Sequence, residues 1–271
     1  MIPATENEGP ILFLDSGVGG LPYLELARAQ LQGRTLHYLA DDAGFPYGLK
    51  SSRQVSDIVL DRVRRLRARF EPRALVIACN TASQAALADV RDANPHLEVI
   101  GTVPAVKPAA ASTRTGVIGV LATARAVEDP YLDDLIARHA PGVEVIRRAA
   151  QDLVEFVEHR YLDAGPAERR AAVEGHVRAL ADRGADRIVL ACTHFLHLEE
   201  DISACAAELY GDKIEVIDSR RGVVSRLVQV LGPNGRSSSR EGLFLLSGEP
   251  PHNPVYARWA ARYGLAGPVR L

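Results

Sequence analysis

Short, continuous apolar runs recur along this chain, and they alternate with stretches whose apolar residues return every three or four positions. The first pattern suits strands buried on both faces; the second suits amphipathic helices. Strands are predicted at residues 11–15, 35–39, 74–79, 97–100, 116–121, 143–147, 187–192, 214–217 and 243–246. Helices lie between them, such as residues 51–70, where Val55, Ile58, Val59, Val63, Leu66 and Phe70 fall on one face. Strands alternating with helices imply parallel sheets covered by helices, since a parallel neighbour is reached only through a crossover. Pro22, after Gly19-Gly20-Leu21, suits a helix start, where its missing N–H costs nothing. Residues 1–9 read as a short polar tail. Gly232-Pro233-Asn234-Gly235 with Arg236-Ser237-Ser238-Ser239 reads as a mobile loop before the last strand.

Composition narrows the class. A chain of 271 residues accommodates two domains of about 100–150 residues each. Hydrophobic residues make up 47% and charged residues 24%, which supports a packed core rather than disorder. The 32 basic and 34 acidic side chains are interspersed and leave a net charge of −2, so no footprint for nucleic acid or an anionic membrane emerges. The arginines of Arg62-Val63-Arg64-Arg65-Leu66-Arg67 sit opposite an apolar helical face and read as solvated. No basic segment leads into an apolar stretch at the N-terminus, and no run approaches the roughly 18 apolar residues that span a bilayer. Three cysteines without framework spacing point to free thiols in a reducing, cytoplasmic setting.

Two of those cysteines share a context. Leu75-Val76-Ile77-Ala78-Cys79-Asn80-Thr81 reads like Ile188-Val189-Leu190-Ala191-Cys192-Thr193-His194, each an apolar strand ending in cysteine and leading into a helix. A fainter echo links Leu12-Phe13-Leu14-Asp15-Ser16 to Ile118-Gly119-Val120-Leu121-Ala122-Thr123. Two similar halves facing one another would explain both echoes; chance similarity between buried strands is the alternative. A cysteine at the carboxyl end of a parallel strand stands where open α/β sheets bind ligands. The helix that follows favours thiolate over thiol there, and its free N–H groups can hold a carboxylate. Cys205, on an apolar helical face with Leu198, Ile202 and Leu209, reads instead as core.

With these segments in view, the chain resembles the cofactor-independent aspartate/glutamate racemases, and their glutamate-specific members in particular. The resemblance rests on Phe13-Leu14-Asp15-Ser16-Gly17-Val18-Gly19-Gly20-Leu21, Phe45-Pro46-Tyr47-Gly48, Ala78-Cys79-Asn80-Thr81-Ala82-Ser83, Leu121-Ala122-Thr123, Cys192-Thr193-His194-Phe195 and Val216-Ile217-Asp218-Ser219, in that order. It implies two pseudo-symmetric parallel-sheet α/β domains, residues 1–103 plus 214–271 and residues 104–213, with the active site in the cleft between them. It further implies interconversion of L- and D-glutamate without pyridoxal phosphate or metal, supplying D-glutamate for peptidoglycan. The implied partner is a small acidic amino acid, and the implied assembly a homodimer.

Such a reaction needs a base on one face of the α-carbon and an acid on the other, and a thiol near neutral pKa serves as either. By resemblance, Cys79 and Cys192 are the two thiols, Asp15 the carboxylate assisting the first and His194 the imidazole assisting the second. Glu158 is similar to the family glutamate that orients that histidine, although a helical glutamate is by default exposed. Ser16, Asn80, Thr81, Thr123 and Thr193 match positions that hold the substrate, and Pro46, Tyr47 and Gly48 match a loop closing one side of the pocket. The chain departs from the family pattern at Ala126 and Pro130, where threonine and serine are usual, and at Leu196, where proline usually follows the aromatic. Losing the hydroxyl at 126 removes a carboxylate donor, a change of about 1–3 kcal/mol if nothing replaces it. Aspartate or another acidic amino acid is the alternative substrate.

Three other readings stay open at this level. Cys192, His194 and His197 could ligate the metal of a hydrolase, though the spacing fits no zinc pattern and no fourth ligand is evident. Gly17-Val18-Gly19-Gly20-Leu21-Pro22, with Asp41 or Asp42 downstream, could bind a dinucleotide, though Pro22 replaces the glycine needed for helix–strand packing. A non-catalytic chain that binds an acidic amino acid is the third.

Overall fold

The computed structural model describes residues 9–232 and 241–271. The expected N-terminal tail up to residue 8, and the expected loop from residue 233 to 239, lie outside the described residues. Ten strands are described: β1 (Ile11–Asp15), β2 (Leu36–Ala40), β3 (Ala74–Ile77), β4 (Glu98–Gly101), β5 (Val117–Ala122), β6 (Glu144–Ala149), β7 (Arg187–Leu190), β8 (Glu215–Ile217), β9 (Leu243–Leu246) and β10 (Ala266–Arg270). The chain divides into two compact units, Met1–Thr102 with Arg220–Leu271, and Val103–Ser219. Among the described residues no helix is long and apolar enough to cross a membrane.

The first unit carries a six-stranded sheet in the order β10-β9-β2-β1-β3-β4, and the second a four-stranded sheet in the order β6-β5-β7-β8. Every pairing is parallel. Within β2-β1-β3-β4 the chain leaves β1 for one side and then returns to the other. The strands β6-β5-β7-β8 repeat that path with β5 in the place of β1 and β7 in the place of β3. Each sheet therefore has one switch point, at the carboxyl ends of β1 and β3 and of β5 and β7. Both sequence echoes map onto these strands.

Two expectations need correction. Residues 214–217 were expected in the same domain as the N-terminal strands. Instead β8 pairs with β7 (Arg187↔Glu215, Val189↔Ile217), so this segment closes the sheet of the middle unit, and the chain returns only at Arg220. β10 was not expected at all. It contains Gly267 and Pro268, which weaken strand propensity, and it is tolerated because it lies at the sheet edge, where proline's missing donor goes unused.

The helix Ser52–Phe70 forms for local reasons. Ser51 accepts from the Gln54 N–H while the Gln54 side chain accepts from the Ser51 N–H, a reciprocal cap. Val55, Val59, Val63 and Leu66 then bury against Leu12, Leu14, Leu75 and Ile77 of the sheet, each side chain contributing about 1.5–3 kcal/mol. On the same helix Arg62 departs from the solvated reading: its side chain is 15% exposed and paired with the buried Asp41. Elsewhere in the unit, aromatic rings fill the core. Tyr38 stacks on Phe244 at 5.6 Å, and Phe244 meets Tyr256 at 6.2 Å.

His37, buried in β2, ties that sheet together in a pH-dependent way. Its Nδ1 accepts from the Leu243 N–H at 2.9 Å, which requires a neutral ring. Burial, helped by the Arg69 charge, lowers its pKa from 6.5 to about 4. The unfolded chain therefore binds the extra proton first, so this contribution to stability is complete above pH 6.5 and is lost as pH falls toward 4. Urea unfolding across that window is expected to show a wild-type loss of up to about 1.4 kcal/mol per pH unit, with a shallower slope in His37→Gln. Equal slopes would remove His37 as the cause.

Candidate active site

In the first unit the switch point gathers Asp15, Ser16 and Cys79. Asp15 ends β1 fully buried, and its Oδ1 accepts from the Ser16 N–H at 2.6 Å and the Ser16 hydroxyl at 3.3 Å. β3 ends at Ile77, two residues earlier than expected. Ala78 still donates to the Leu14 carbonyl at 2.8 Å, so Cys79 emerges one residue beyond the ladder, extended and 5% exposed. It is the N-terminal cap position of the helix Asn80–Ala93. Asn80 and Thr81 open that helix, both buried, and among the described residues Asn80 Oδ1 has no hydrogen-bond partner. A buried carbonyl oxygen without a donor suits an ammonium ligand.

The loop after β1 reaches this point through its glycines and Tyr38. Tyr38 donates to the Gly17 carbonyl at 2.8 Å and accepts from the Gly20 N–H at 2.9 Å. A Cβ on Gly20 would stand 2.7 Å from Ala78 Cβ and 2.8 Å from the Ala78 carbonyl oxygen, so only glycine lets this loop lie beside the cysteine-bearing turn. On the other side, Phe45-Pro46-Tyr47-Gly48 brings Tyr47 into the apolar cluster that contains Cys79. Pro46 is half-buried, while Tyr47 and Gly48 are buried.

In the second unit the equivalent switch point gathers Thr123, Cys192, Thr193, His194 and Glu158. Cys192, 6% exposed, again follows its strand by two residues in extended conformation. The helix expected after it begins as a 3₁₀ turn, Thr193–Leu198, and continues as the α-helix Glu199–Tyr210. That tight turn swings His194 back, placing Nδ1 3.9 Å from Cys192 Sγ. His194 Nε2 lies 2.9 Å from Glu158 Oε2. Glu158 is fully buried on the helix Gln151–His159, against the exposed default for a helical glutamate. Burial opposes charge on His194, but hydrogen bonds to Cys192 and Glu158 outweigh it and raise the imidazole pKa well above 6.5. This unit thus joins a thiol, an imidazolium and a carboxylate in one buried chain.

Thr123 caps the helix Ala124–Glu128, its Oγ1 accepting from the Ala126 N–H at 3.2 Å. Ala126 itself is enclosed in the apolar cluster of this unit, so position 126 supplies packing here. Pro130 opens the helix Pro130–His139 behind the Asp129 cap, a place where a proline costs no hydrogen bond.

The rival readings lose their donors. His197 faces the Tyr161 ring at 5.8 Å, and among the described residues no three His, Cys, Asp or Glu side chains gather to hold a metal ion. Asp42 accepts from the N–H groups of Ser247 and Gly248, and Asp41 is buried against Tyr47 and Arg62, so neither is placed to take a ribose. Cys205 packs fully buried, as expected of a core thiol. The Asp41–Arg62 pair went unanticipated: Arg62 was grouped with its charged neighbours. The signal available was only that Asp41 follows β2 directly.

Two parallel sheets that share a four-strand order, each delivering a buried cysteine at its switch point, define an α/β protein of two internally similar units. A family profile described as Asp/Glu/Hydantoin racemase matches residues 23–227. The glutamate racemase of Roseiflexus sp. (strain RS-1) is 43% identical over 230 residues, covering 85% of this chain and 82% of that one. That of Sphingopyxis alaskensis is 42% identical over 227 residues, 82% of each chain. The solved Escherichia coli glutamate racemase, in complex with L-glutamate and the activator UDP-MurNAc-ala, superposes with a TM-score of 0.82 at 28% identity, covering 97% of this chain and 98% of that one. The chain belongs to the Asp/Glu/Hydantoin racemase family.

Proposed function

We propose that this enzyme interconverts L- and D-glutamate by transferring protons at the α-carbon between two thiols. The reading is carried by one observation: two sheets that share a four-strand order each present a buried cysteine at the switch point, and one of these thiols is backed by an imidazole and a carboxylate. One cysteine, as thiolate, takes the α-proton and leaves the electron pair on carbon; the other, as thiol, delivers a proton to the opposite face. The reverse direction exchanges their roles. Asp15 assists Cys79, and His194, held by Glu158, assists Cys192. Ser16, Asn80, Thr81, Thr123 and Thr193 hold the ammonium and carboxylate groups, with Asn80 Oδ1 an acceptor awaiting a donor. Glutamate is favoured as substrate by relatives bearing that activity over most of the chain. The role in the cell is D-glutamate supply for peptidoglycan, in the cytoplasm, by a homodimer.

Incubation with each enantiomer of glutamate and aspartate in D₂O tests this directly. Deuterium is expected at the α-carbon of glutamate together with loss of optical purity from either enantiomer, and at least about tenfold more slowly with aspartate. No exchange with any of the four would sink the racemase reading, and faster exchange with aspartate would change the substrate.

A further inference from the structure

Behind Tyr47, which shares the buried cluster of Cys79, stands an ion pair that none of the roles above uses. Asp41 follows β2 and is fully buried, with its N–H donating to the Asp15 carbonyl at 2.9 Å. The turn from Asp41 to Gly44 wraps its carboxylate so closely that a Cβ on Gly44 would fall 2.1 Å from Oδ2. The two carboxylate oxygens serve different partners. Oδ1 accepts from Arg62 Nε at 2.7 Å, and Oδ2 accepts from the Tyr47 hydroxyl at 2.5 Å. Arg62 is itself steadied by Asp61, which accepts from Nη1 at 2.7 Å. Tyr47 is 1% exposed and shares the buried cluster of Cys79, and the short turn Tyr47–Leu49 packs against the helix that Cys79 caps.

Resting on the racemase reading, we propose that Asp41 and Arg62 are positioning residues that hold Tyr47, and with it the Phe45–Gly48 loop, against the Cys79 half of the site. A carboxylate inside the protein needs a counter-charge, and Arg62 supplies it. The carboxylate then accepts strongly from a phenol that has no other use for its proton. Burial, and next the Asp41 charge, push the Tyr47 phenol well above its ordinary range, so it remains a donor at every working pH. The loop is thereby fixed from its polar end while its ring fills the apolar cluster. Asp41 also joins the two sides of the half-site, because its backbone is tied to Asp15.

The test separates positioning from bulk stability. Tyr47→Phe removes only the hydroxyl and is expected to raise KM for glutamate about tenfold with kcat changed less than about threefold. Asp41→Ala is expected to raise KM at least as much. Asp41→Asn combined with Arg62→Met keeps a carbonyl acceptor for Tyr47 without a stranded charge, and its KM is expected to lie below that of Asp41→Ala by about threefold or more. A purely structural pair would lower Tm in all variants and leave KM alone. Wild-type KM in Tyr47→Phe, or equal KM in Asp41→Ala and the combined variant, overturns the positioning role. A wild type that exchanges no α-proton overturns the racemase reading and this role with it.

Discussion

Cys79→Ala and Cys192→Ala are each expected to lose racemisation in both directions, by at least about a thousandfold. Inversion requires removal of a proton on one face and delivery on the other, and alanine can do neither. The two variants are not expected to be equally silent. On the two-thiol proposal, a surviving thiolate still reaches the α-proton of one enantiomer, takes it up, exchanges it with solvent and returns it to the same face. In D₂O, therefore, each variant should place deuterium in one enantiomer without inverting it, and the preferred enantiomer should be opposite in the two variants. Replacing CH₂SH by CH₃ is a small change at sites 5% and 6% exposed, so folding should survive and circular dichroism should match wild type. Either variant racemising within about tenfold of wild type would sink the two-thiol assignment.

The second large effect is expected at Glu158. Glu158→Gln keeps the length and an acceptor for His194 Nε2 but removes the charge that stabilises the imidazolium. The His194 pKa is raised in the folded protein, so the folded state holds a proton that the unfolded chain has released. Its contribution to stability is complete below pH 6.5 and is lost as pH rises through the folded value. Wild type should accordingly lose stability above pH 6.5, by up to about 1.4 kcal/mol per pH unit from this group, and Glu158→Gln should flatten that slope. Turnover should fall about tenfold to a thousandfold, because the imidazole proposed to assist Cys192 loses its charged partner. Its alkaline limb should move to lower pH. An unchanged alkaline limb in both activity and stability would show that Glu158 does not hold the imidazolium. The two pH arms are of opposite sign and separate cleanly: His37 acts on the acid side and His194 on the alkaline side.

Most of the architecture was readable from local pattern. Short apolar or β-like runs marked nine of the ten described strands, and the spacing of Val55, Val59, Val63 and Leu66 marked a helix whose cap residue, Ser51, is also visible in sequence. The repeated run ending in cysteine announced two equivalent sheets, because a strand buried on both faces leaves an unmistakable apolar signature. The strand lost to view, β10, lacks that signature: an edge position asks for little hydrophobicity and tolerates Gly267 and Pro268.

The identity of the cysteines, the apolar runs and the helix caps was settled by the sequence alone, since each reports on a residue and its near neighbours. Only the tertiary structure decided which polar side chains are buried and what they meet. Glu158 and His194 stand 36 residues apart, and Arg62 and Asp41 stand 21 apart. A helix pattern places a charged residue on a face, but the energy of burying it depends on a counter-charge delivered by another element. The same holds for β8, whose sheet was chosen by the exposed edge of β7 rather than by anything in its three residues.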